Sequence, residues 1–394
     1  MSQLNSYIVL LKDDVNFDTH KDWMQSLTRQ RIASTLSSNP VTINYEYGNL
    51  NGYSATLGND LVAQISGHPD VEGVFPDTKV KIQVLPATGK EMNDEEAFAR
   101  AHGVQDTPMG TTWGLQRISQ VDTLPPRSKD LALNYIYEEE PSLKKTKVDC
   151  YIVDTGVMLN HTDFEGRATW GATFPAGGPQ VDDNGHGTHV AATVAGKRWG
   201  VAKTANIIAV KVLDAGGSGS TSDIVAGINW CINRHSQTQS PSVINMSLGG
   251  SNNRALNAIA SRAVRSGIHV CVAAGNDGDD VADSSPASAD GVITVGATHI
   301  RDERSNFSNW GQAVKAFAPG SRIISAGITS PTAFVAHDGT SMATPHVAGV
   351  VAHRLRNDPD TSPAQMLEQI QSTALSGVLN NIYQPGTPNL MLQV

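Results

Sequence analysis

The sequence has few cysteines, little charge and no long apolar segment. Its 394 residues include three cysteines, Cys150, Cys231 and Cys271, an odd number without the paired spacing of a metal site. Cys150 and Cys271 lie in apolar runs, so we expect buried thiols, with a single disulfide as the alternative. No stretch approaches the roughly 20 apolar residues of a membrane span. The chain is therefore predicted to be a globular protein that does not cross a membrane.

Charge is sparse and negative. Charged residues make up 17% of the chain and the net charge is −9, whereas globular proteins carry about 25% charged residues. Nucleic-acid binding depends on Lys and Arg that neutralise phosphates, and no basic run is present, so nucleic acid is not an expected partner. Residues Met1–Leu11 contain a short apolar patch but no signal-like core. We expect either an intracellular protein or one whose signal peptide is not present in this chain.

The first 85 residues alternate strand and helix patterns. Strand patterns cover Tyr7–Leu11, Thr42–Tyr47, Gly52–Leu57 and an extended stretch Val71–Val84 broken at Pro76, with helix patterns at His20–Leu36 and Leu61–Ser66. This βαββαβ order predicts a small α+β domain of ferredoxin-like architecture, spanning residues 1–85.

A compositional change follows that domain. Residues 86–112 contain Pro86, Gly89 and an acidic segment without a long apolar period, as is typical of linkers that are accessible to proteolysis. We therefore expect three parts: a domain at 1–85, a linker or processing region at 86–112 and a second domain at 113–394.

The remainder alternates continuous apolar strands with helices, which indicates a parallel sheet covered on both faces, a three-layer α/β fold. The predicted strands are Val148–Val153, Ile207–Val212, Val243–Met246, His269–Ala273 and Val292–Val295. The predicted helices are His186–Ala195, Thr221–Cys231, Arg254–Arg265, Met342–Leu355 and Pro363–Ser372. Active sites of such sheets lie beyond the carboxyl ends of the strands.

Three short segments carry catalytic residue types. Asp154 ends a strand and is followed by a glycine turn, His186 lies between glycines at a helix start, and Ser341 lies in the first turn of a helix of small residues. A serine hydroxyl becomes a nucleophile when a base removes its proton, and His can supply that base near neutral pH. A carboxylate fixes the imidazole tautomer and stabilises the imidazolium. A helix N-terminus adds free N–H groups for a developing oxyanion.

The chain order Asp–His–Ser is that of subtilisin, and the segments Ile152–Gly156, Gly185–Val190, Ala273–Asn276 and Gly339–Gly349 resemble those of subtilisin-like serine proteases (peptidase family S8), closest to the fungal proteinase K group. Trp113–Ile118 and Gly386–Leu390 resemble the usual start and end of the mature enzymes. Residues 1–85 resemble the inhibitory propeptide of the family, with Asn51–Ala55 and His68–Glu72 as matching pieces.

The resemblance implies a serine endopeptidase made as a self-processing zymogen, with Asp154, His186 and Ser341 as its triad. Asn276 would donate to the oxyanion together with the Ser341 backbone N–H. The first cut is expected between Gln83 and Asp106, and the Leu85–Pro86 bond is excluded because proline fixes the backbone. No cofactor is implied. The expected partners are protein and peptide substrates and the chain's own propeptide. The protein is expected to be a monomer.

Two segments resemble the edges of the family's substrate groove, which bind an extended peptide as an added strand. The residues expected to bind substrate are Gly217, Ser218, Gly219, Ser247, Leu248, Gly249, Gly250, Ala274 and Gly275. The walls that they form are small and uncharged, so a broad preference for apolar or aromatic residues before the scissile bond is expected.

Calcium sites of the proteinase K group fall on unsuitable residues in this chain. One carboxylate ligand position matches Lys315, and a second site matches Val121 and Leu379. Calcium requires several oxygen ligands, so we predict no calcium at either place and no metal site.

Other interpretations remain open at this level. An inactive protease scaffold kept for binding would share the fold, and the amino-terminal domain could be a permanent regulatory domain rather than a propeptide. An esterase-type hydrolase would carry G-x-S-x-G and the order Ser–Asp–His, neither of which is present. Secretion is the expected localisation, with the vacuole as the alternative.

Overall fold

The computed structural model describes residues 4–12, 14–33, 41–85, 112–124, 135 and 146–394. The predicted linker at 86–112 therefore lies, apart from its last residue, outside the described residues.

A four-stranded antiparallel sheet with two helices forms the amino-terminal domain. Its elements are β1 (Leu4–Leu11), α1 (Phe17–Ala33), β2 (Thr42–Tyr47), β3 (Gly52–Gly58), α2 (Asn59–Ser66) and β4 (Val71–Pro76). The strand order β2-β3-β1-β4, with every pair antiparallel, confirms the predicted ferredoxin-like arrangement. Met24 and Ile65 on the helices pack against Val9 and Leu11 of the central strand.

One part of the amino-terminal prediction is wrong. The break expected at Pro76 is present, since β4 ends there, but the rest of the stretch forms β5 (Lys79–Ile82), which pairs with two strands of the second domain instead of the amino-terminal sheet. An extended pattern looks the same whichever strand it pairs with, so the sequence could not assign β5 to its sheet.

The carboxy-terminal domain is built around a ten-stranded sheet. Its helices are α3 (Trp113–Arg117), α4 (His186–Ala195), α5 (Thr221–Thr238), α6 (Arg254–Arg265), α7 (Thr340–Asn357) and α8 (Pro363–Thr373). Its strands up to the middle of the domain are β6 (Asp149–Asp154), β7 (Ala168–Thr173), β8 (Asn206–Lys211), β9 (Ser218–Ser220), β10 (Ser242–Met246), β11 (Leu248–Ser251) and β12 (His269–Ala273). The later strands are β13 (Ser284–Ser285), β14 (Ile293–His299), β15 (Glu303–Arg304), β16 (Val314–Pro319), β17 (Ile323–Ala326), β18 (Phe334–His337), β19 (Leu375–Ser376) and β20 (Leu390–Met391).

The large sheet has the strand order β19-β20-β16-β14-β12-β10-β6-β8-β7, with β15 paired to β14. The central pairs are all parallel. Apolar residues of α3, α4, α7 and α8 cover one face, and those of α5 and α6 cover the other. The predicted three-layer α/β fold is confirmed, because strands buried on both faces require a helical layer on each side.

The predicted bounds of two helices are confirmed and those of a third are too short. His186–Ala195 and Arg254–Arg265 have the predicted bounds, whereas α5 continues beyond the predicted Cys231 to Thr238. Asn253 caps α6 by accepting from the backbone N–H groups of Ala255 and Leu256. Among the described helices, none combines the length and apolar character needed to cross a bilayer.

The amino-terminal domain lies against α5 and α6. Ile8, Leu10 and Tyr47 of its sheet join the apolar cluster formed by those two helices. The Tyr47 hydroxyl donates to the Ser222 carbonyl at 3.1 Å, near the start of α5. Its helices α1 and α2 pack on the other side of its sheet, so the sheet separates them from the carboxy-terminal domain.

Candidate active site

Asp154 and His186 lie in direct contact. Asp154 is the last residue of β6, and its Oδ1 accepts a hydrogen bond from His186 Nδ1 at 2.8 Å; both side chains are almost completely buried. The backbone N–H of Thr155 donates to the same oxygen at 2.7 Å. Since the carboxylate holds the proton on Nδ1, the lone pair of the imidazole lies on Nε2, where a base needs it.

The turn that presents His186 is organised by Asp182. One carboxylate oxygen accepts from the Thr155 hydroxyl at 2.8 Å and the Gly185 N–H at 2.9 Å. The other accepts from the backbone and hydroxyl of Thr188, at 2.9 and 2.6 Å. Asp182 is thus a turn residue, and its hydrogen bonds link the strand that carries Asp154 to the helix that carries His186.

Ser341 lies in the first turn of α7 at the same edge of the sheet. Its hydroxyl donates to the carbonyl of Ser247 at 2.8 Å, and its backbone N–H donates to the carbonyl of Gln83 at 3.1 Å. His186 Nε2 is buried and has no hydrogen-bond partner among the described residues. The Ser341 hydroxyl is therefore hydrogen-bonded to Ser247 and not to His186.

Neighbouring parallel strands explain why these residues converge. β6 and β10 pair in parallel up to Ile152 and Asn245, so Asp154 and Ser247 follow at equivalent positions beyond the last pair. β12 is the next strand and leads directly to Asn276. The predicted residues therefore gather beyond the carboxyl ends of adjacent strands, where α/β sheets place their ligands.

The Asn276 side chain is fixed at one end and free at the other. Its Oδ1 accepts from the backbone N–H and the hydroxyl of Thr340, both at 2.9 Å. Its Nδ2 is buried without a hydrogen-bond partner among the described residues. A Cβ at Gly339 would overlap the Gln83 carbonyl oxygen and lie 3.2 Å from Asn276 Nδ2. Asn276 Nδ2 and the Ser341 N–H thus border the place that the Gln83 carbonyl occupies.

The segment after the amino-terminal domain runs through this site. β5 lies between β9 and β11 and is antiparallel to both. The N–H of Ile82 donates to Gly217 at 3.0 Å, that of Gln83 to Ser247 at 3.2 Å and that of Leu85 to Asp338 at 2.8 Å. The chain therefore enters between the predicted groove edges, passes Ser341 at Gln83 and continues on the other side.

All nine predicted substrate-binding residues border this segment or its pocket. Ser218 and Gly219 pair with Lys81 and Val80, and Leu248 and Gly249 pair with Ile82 and Lys81. Sequence reasoning named Gln83 only as the start of the range for the first cut and did not find Asp338, because the contacts of both residues form only when the tail lies in the groove.

A cavity of about 440 Å³ lies beside Gln83. Gly249, Gly250, Ala274 and Gly275 line it, and Gln83 Nε2 donates to the Gly249 carbonyl at 3.1 Å. The expectation of small, uncharged walls holds for these segments but was incomplete. Four aspartates of the following loop also line the cavity: Asp277, Asp279, Asp280 and Asp283.

The other histidines near the motifs have structural contacts. His189 is fully buried with Nε2 at 3.0 Å from the Ile323 carbonyl, and burial holds its pKa well below the ordinary value. His346 Nδ1 donates to the Met342 carbonyl at 2.8 Å, and burial lowers its pKa to about 4. Neither contacts Ser341 through a hydrogen bond, so both have structural contacts instead.

The three cysteines are unpaired and buried. The predicted buried thiols are therefore confirmed, and the disulfide alternative is wrong. Burial raises the pKa of each thiol, so all three are unreactive near neutral pH.

The residues at the family's two calcium positions do not fit that ion. Lys315 is a cation in β16, Val121 is 71% exposed and Leu379 is 5% exposed within an apolar cluster. None offers an anionic oxygen, and calcium takes six to eight oxygen ligands. Absence of calcium at these places stays a prediction.

Comparison with known proteins agrees with this fold. The subtilase family model matches residues 144–389 and the peptidase inhibitor I9 model matches residues 6–83. Subtilisin-like protease 1 of Arthroderma otae is 41% identical over 391 residues, covering 97% of this chain and 73% of its own length. Alkaline protease 2 of Aspergillus fumigatus is 37% identical over 426 residues, covering 98% of this chain and 80% of its own.

A solved structure of a cold-adapted subtilisin-like serine proteinase is 41% identical with a TM-score of 0.64, covering 72% of this chain and 98% of that one. The fold and the two domain matches define a protease with an inhibitor-type propeptide domain. The chain belongs to the subtilase family of serine peptidases.

Proposed function

We propose that this chain is a self-processing zymogen whose triad is Asp154, His186 and Ser341. The observation that carries the proposal is the position of Gln83. Its carbonyl oxygen accepts a hydrogen bond from the Ser341 N–H, and the chain continues past Ser341 to Leu85. A peptide held this way presents the Gln83–Val84 bond to the Ser341 hydroxyl.

The reaction follows from these positions. Ser341 Oγ attacks the Gln83 carbonyl carbon while His186 Nε2 takes the hydroxyl proton, and Asp154 stabilises the resulting imidazolium. Negative charge moves to the Gln83 oxygen, where the Ser341 N–H and Asn276 Nδ2 donate to it. His186 then gives its proton to the Val84 nitrogen as the bond breaks. Water, activated by the same imidazole, hydrolyses the acyl-enzyme.

The domain boundary follows from the same bond. We place the end of the propeptide at Gln83, two residues before the predicted boundary at 85, with a processing region up to residue 112 and the mature domain from 113. The inhibitor-family match, which ends at residue 83, supports this choice. Because the tail fills the groove as an added strand, it blocks substrate until it leaves.

Substrate preference is proposed to be broad. Main-chain pairing with β9 and β11 supplies sequence-independent binding, and the walls beside Gln83 are glycines and alanines. Apolar and aromatic residues before the scissile bond fit these walls, and Gln83 itself shows that a polar side chain also fits. The aspartates at the cavity lie near Lys79 and Lys81 of the tail, which also line it.

Secretion is the proposed localisation, with the vacuole as the alternative, and a monomer is the proposed oligomeric state.

The alternatives to a self-processing protease are less well supported by the contacts. An inactive binding scaffold would not need a buried Asp154–His186 pair beside Ser341, and a permanent regulatory domain would not need to extend through the groove.

The test is to express the chain beside Ser341→Ala, with Ser236→Ala on the exposed side of α5 as the matched control. Intact mass follows the loss of the amino-terminal fragment, and a peptide-ester assay follows turnover. The parent and Ser236→Ala should both be processed and active, while Ser341→Ala should stay whole and lose about 10⁶-fold in turnover, as in subtilisin. A parent that stays whole and inactive would favour the scaffold.

A further inference from the structure

Two histidines and an aspartate meet on the outer side of the amino-terminal domain. His20 lies on α1, and His68 and Asp70 lie in the turn between α2 and β4. The Nδ1 atoms of His20 and His68 are each 3.5 Å from Asp70 Oδ2. One ligand atom from each residue lies within 4.8 Å of the others, and no other such cluster of three was found among the described residues.

His20 is prepared to act as a ligand. Its side chain is fully buried, and Nδ1 lacks a hydrogen-bond partner among the described residues. Nε2 lies 3.3 Å from the hydroxyl of buried Tyr53, which is the second contact that a metal-ligating histidine usually makes. Its Nδ1 lies 3.5 Å from Asp70 Oδ2, so an ion bound beside that carboxylate would also be within reach of the imidazole.

The other two side chains complete an accessible set of donors. His68 Nδ1 accepts a hydrogen bond from the Asp70 backbone N–H, with 3.3 Å between the two nitrogen atoms. Because this bond is long, a metal ion would readily replace it. The His68 and Asp70 side chains are 19% and 29% exposed, so an ion can reach the cluster from solvent. The 3.5 Å separations are close to the roughly 3.3 Å between two ligand atoms that are each about 2.0–2.1 Å from a tetrahedral zinc.

We propose that His20 Nδ1, His68 Nδ1 and an Asp70 oxygen form a zinc site, with water in the fourth position. Two imidazoles and one carboxylate suit zinc, whereas calcium and magnesium prefer all-oxygen sites. This departs from the sequence expectation of no metal, because His20 and His68 lie far apart in the chain and form no spacing motif.

The site would cross-link α1 to the turn before β4. Both lie on the side of the sheet away from α5 and α6, so zinc would stabilise the inhibitory domain without contacting the protease. Anything that binds the folded state alone raises its stability, and a more stable propeptide would persist longer on the enzyme. Zinc in the surroundings of the zymogen would then slow its activation.

The experiment uses the full chain carrying Ser341→Ala, which keeps the domain attached, after removal of metals with a chelator. Calorimetric titration with ZnCl₂ measures affinity and stoichiometry, and Co²⁺ in place of Zn²⁺ reports tetrahedral geometry through its visible absorption. We expect one zinc per chain, with a higher melting temperature, and no comparable effect of Ca²⁺ or Mg²⁺.

Four variants assign the site. His68→Gln and Asp70→Asn should each weaken zinc binding by about 100-fold or more, since losing even an outer-shell partner costs 10–100-fold. Glu72→Gln removes a nearby exposed carboxylate and should bind like the parent. His68→Cys keeps a zinc ligand and should retain binding, which separates ligand loss from misfolding.

Absence of zinc binding to the parent at millimolar concentration would overturn the proposal. So would binding that His68→Gln and Asp70→Asn leave unchanged, since the zinc would then be elsewhere, for example at His186. Neither result depends on whether the protease processes itself.

Discussion

The backbone N–H of Ser341 donates a 3.1 Å hydrogen bond to the carbonyl oxygen of Gln83. This bond links a helix N-terminus of the protease to the tail of the domain that precedes it. In the proposed reaction it presents the Gln83–Val84 bond to Ser341, whereas the sequence allowed a first cut anywhere between Gln83 and Asp106.

The first prediction is that Val84 is the new amino terminus after processing. Val84→Pro should stop this cut, because a proline nitrogen has no N–H and its ring fixes the backbone. Val84→Ala is the matched control and should be processed like the parent. Amino-terminal sequencing and intact mass measure the outcome; a parent fragment ending anywhere beyond Gln83 would contradict the assignment.

Asn276 is predicted to act on turnover rather than on substrate binding. Asn276→Ala removes a donor to the oxyanion and should lower kcat by about 10²–10³-fold, the loss measured for this donor in subtilisin, with KM little changed. Thr340→Val removes one of the two bonds that hold Asn276 Oδ1 and should cost less. Steady-state kinetics on a peptide ester distinguish them, with Asn306→Ala as the control. An unchanged kcat for Asn276→Ala would remove it from the oxyanion hole.

Asp77 is predicted to hold the propeptide on the enzyme. Its two carboxylate oxygens accept from the backbone N–H of Ser222 at 2.9 Å and the Ser222 hydroxyl at 2.7 Å, in the first turn of α5. Negative charge is favourable at a helix N-terminus, and losing such a cap costs about 0.5–2 kcal/mol.

Asp77→Ala should therefore speed the release of the cleaved propeptide by about tenfold, since 1.4 kcal/mol corresponds to that factor. The lag between cleavage, followed by mass, and the onset of activity measures this. Asp18→Ala, on exposed helix α1, should keep the parental lag. Equal lags in all three chains would show that Asp77 contributes nothing to retention.

The sequence predicted what depends on local chemistry. Asp154, His186 and Ser341 each lie in a short segment whose turn or helix start is formed by its own neighbours, so each could be placed before the structure was seen. The arrangement of one sheet between two layers of helices was predicted from the spacing of apolar residues in the strands and helices.

Contacts between distant segments could not be predicted in this way. The pairing of Lys79–Ile82 with β9 and β11 depends on how two domains pack. The meeting of His20 with His68 and Asp70 likewise depends on the βαββαβ chain path, which brings α1 beside the α2–β4 turn. The burial of His269 in β12 could not be predicted from the sequence either. That burial makes the stability of the protein depend on pH in acid.

His269 is predicted to make the protein less stable in acid. It lies in β12, and burial, with a smaller contribution from His235, lowers its pKa to about 4, from 6.5 for a free imidazole. The unfolded chain takes up a proton below pH 6.5 and the folded chain does so only near pH 4, so unfolding becomes more favourable as the pH falls between these values. The loss from pH 7 to pH 5 is about 2 kcal/mol for this one group.

His269→Leu, in the Ser341→Ala background, should therefore reduce the difference between the free energies of unfolding at pH 7 and pH 5 by about 2 kcal/mol. Urea unfolding at the two pH values measures it, and Ser236→Ala, at an exposed position on α5, should keep the parental difference. An undiminished difference in His269→Leu would mean that other groups cause the acid sensitivity. Since the leucine takes up no proton at any pH, a smaller difference would report the loss of His269 titration and of its interaction with His235.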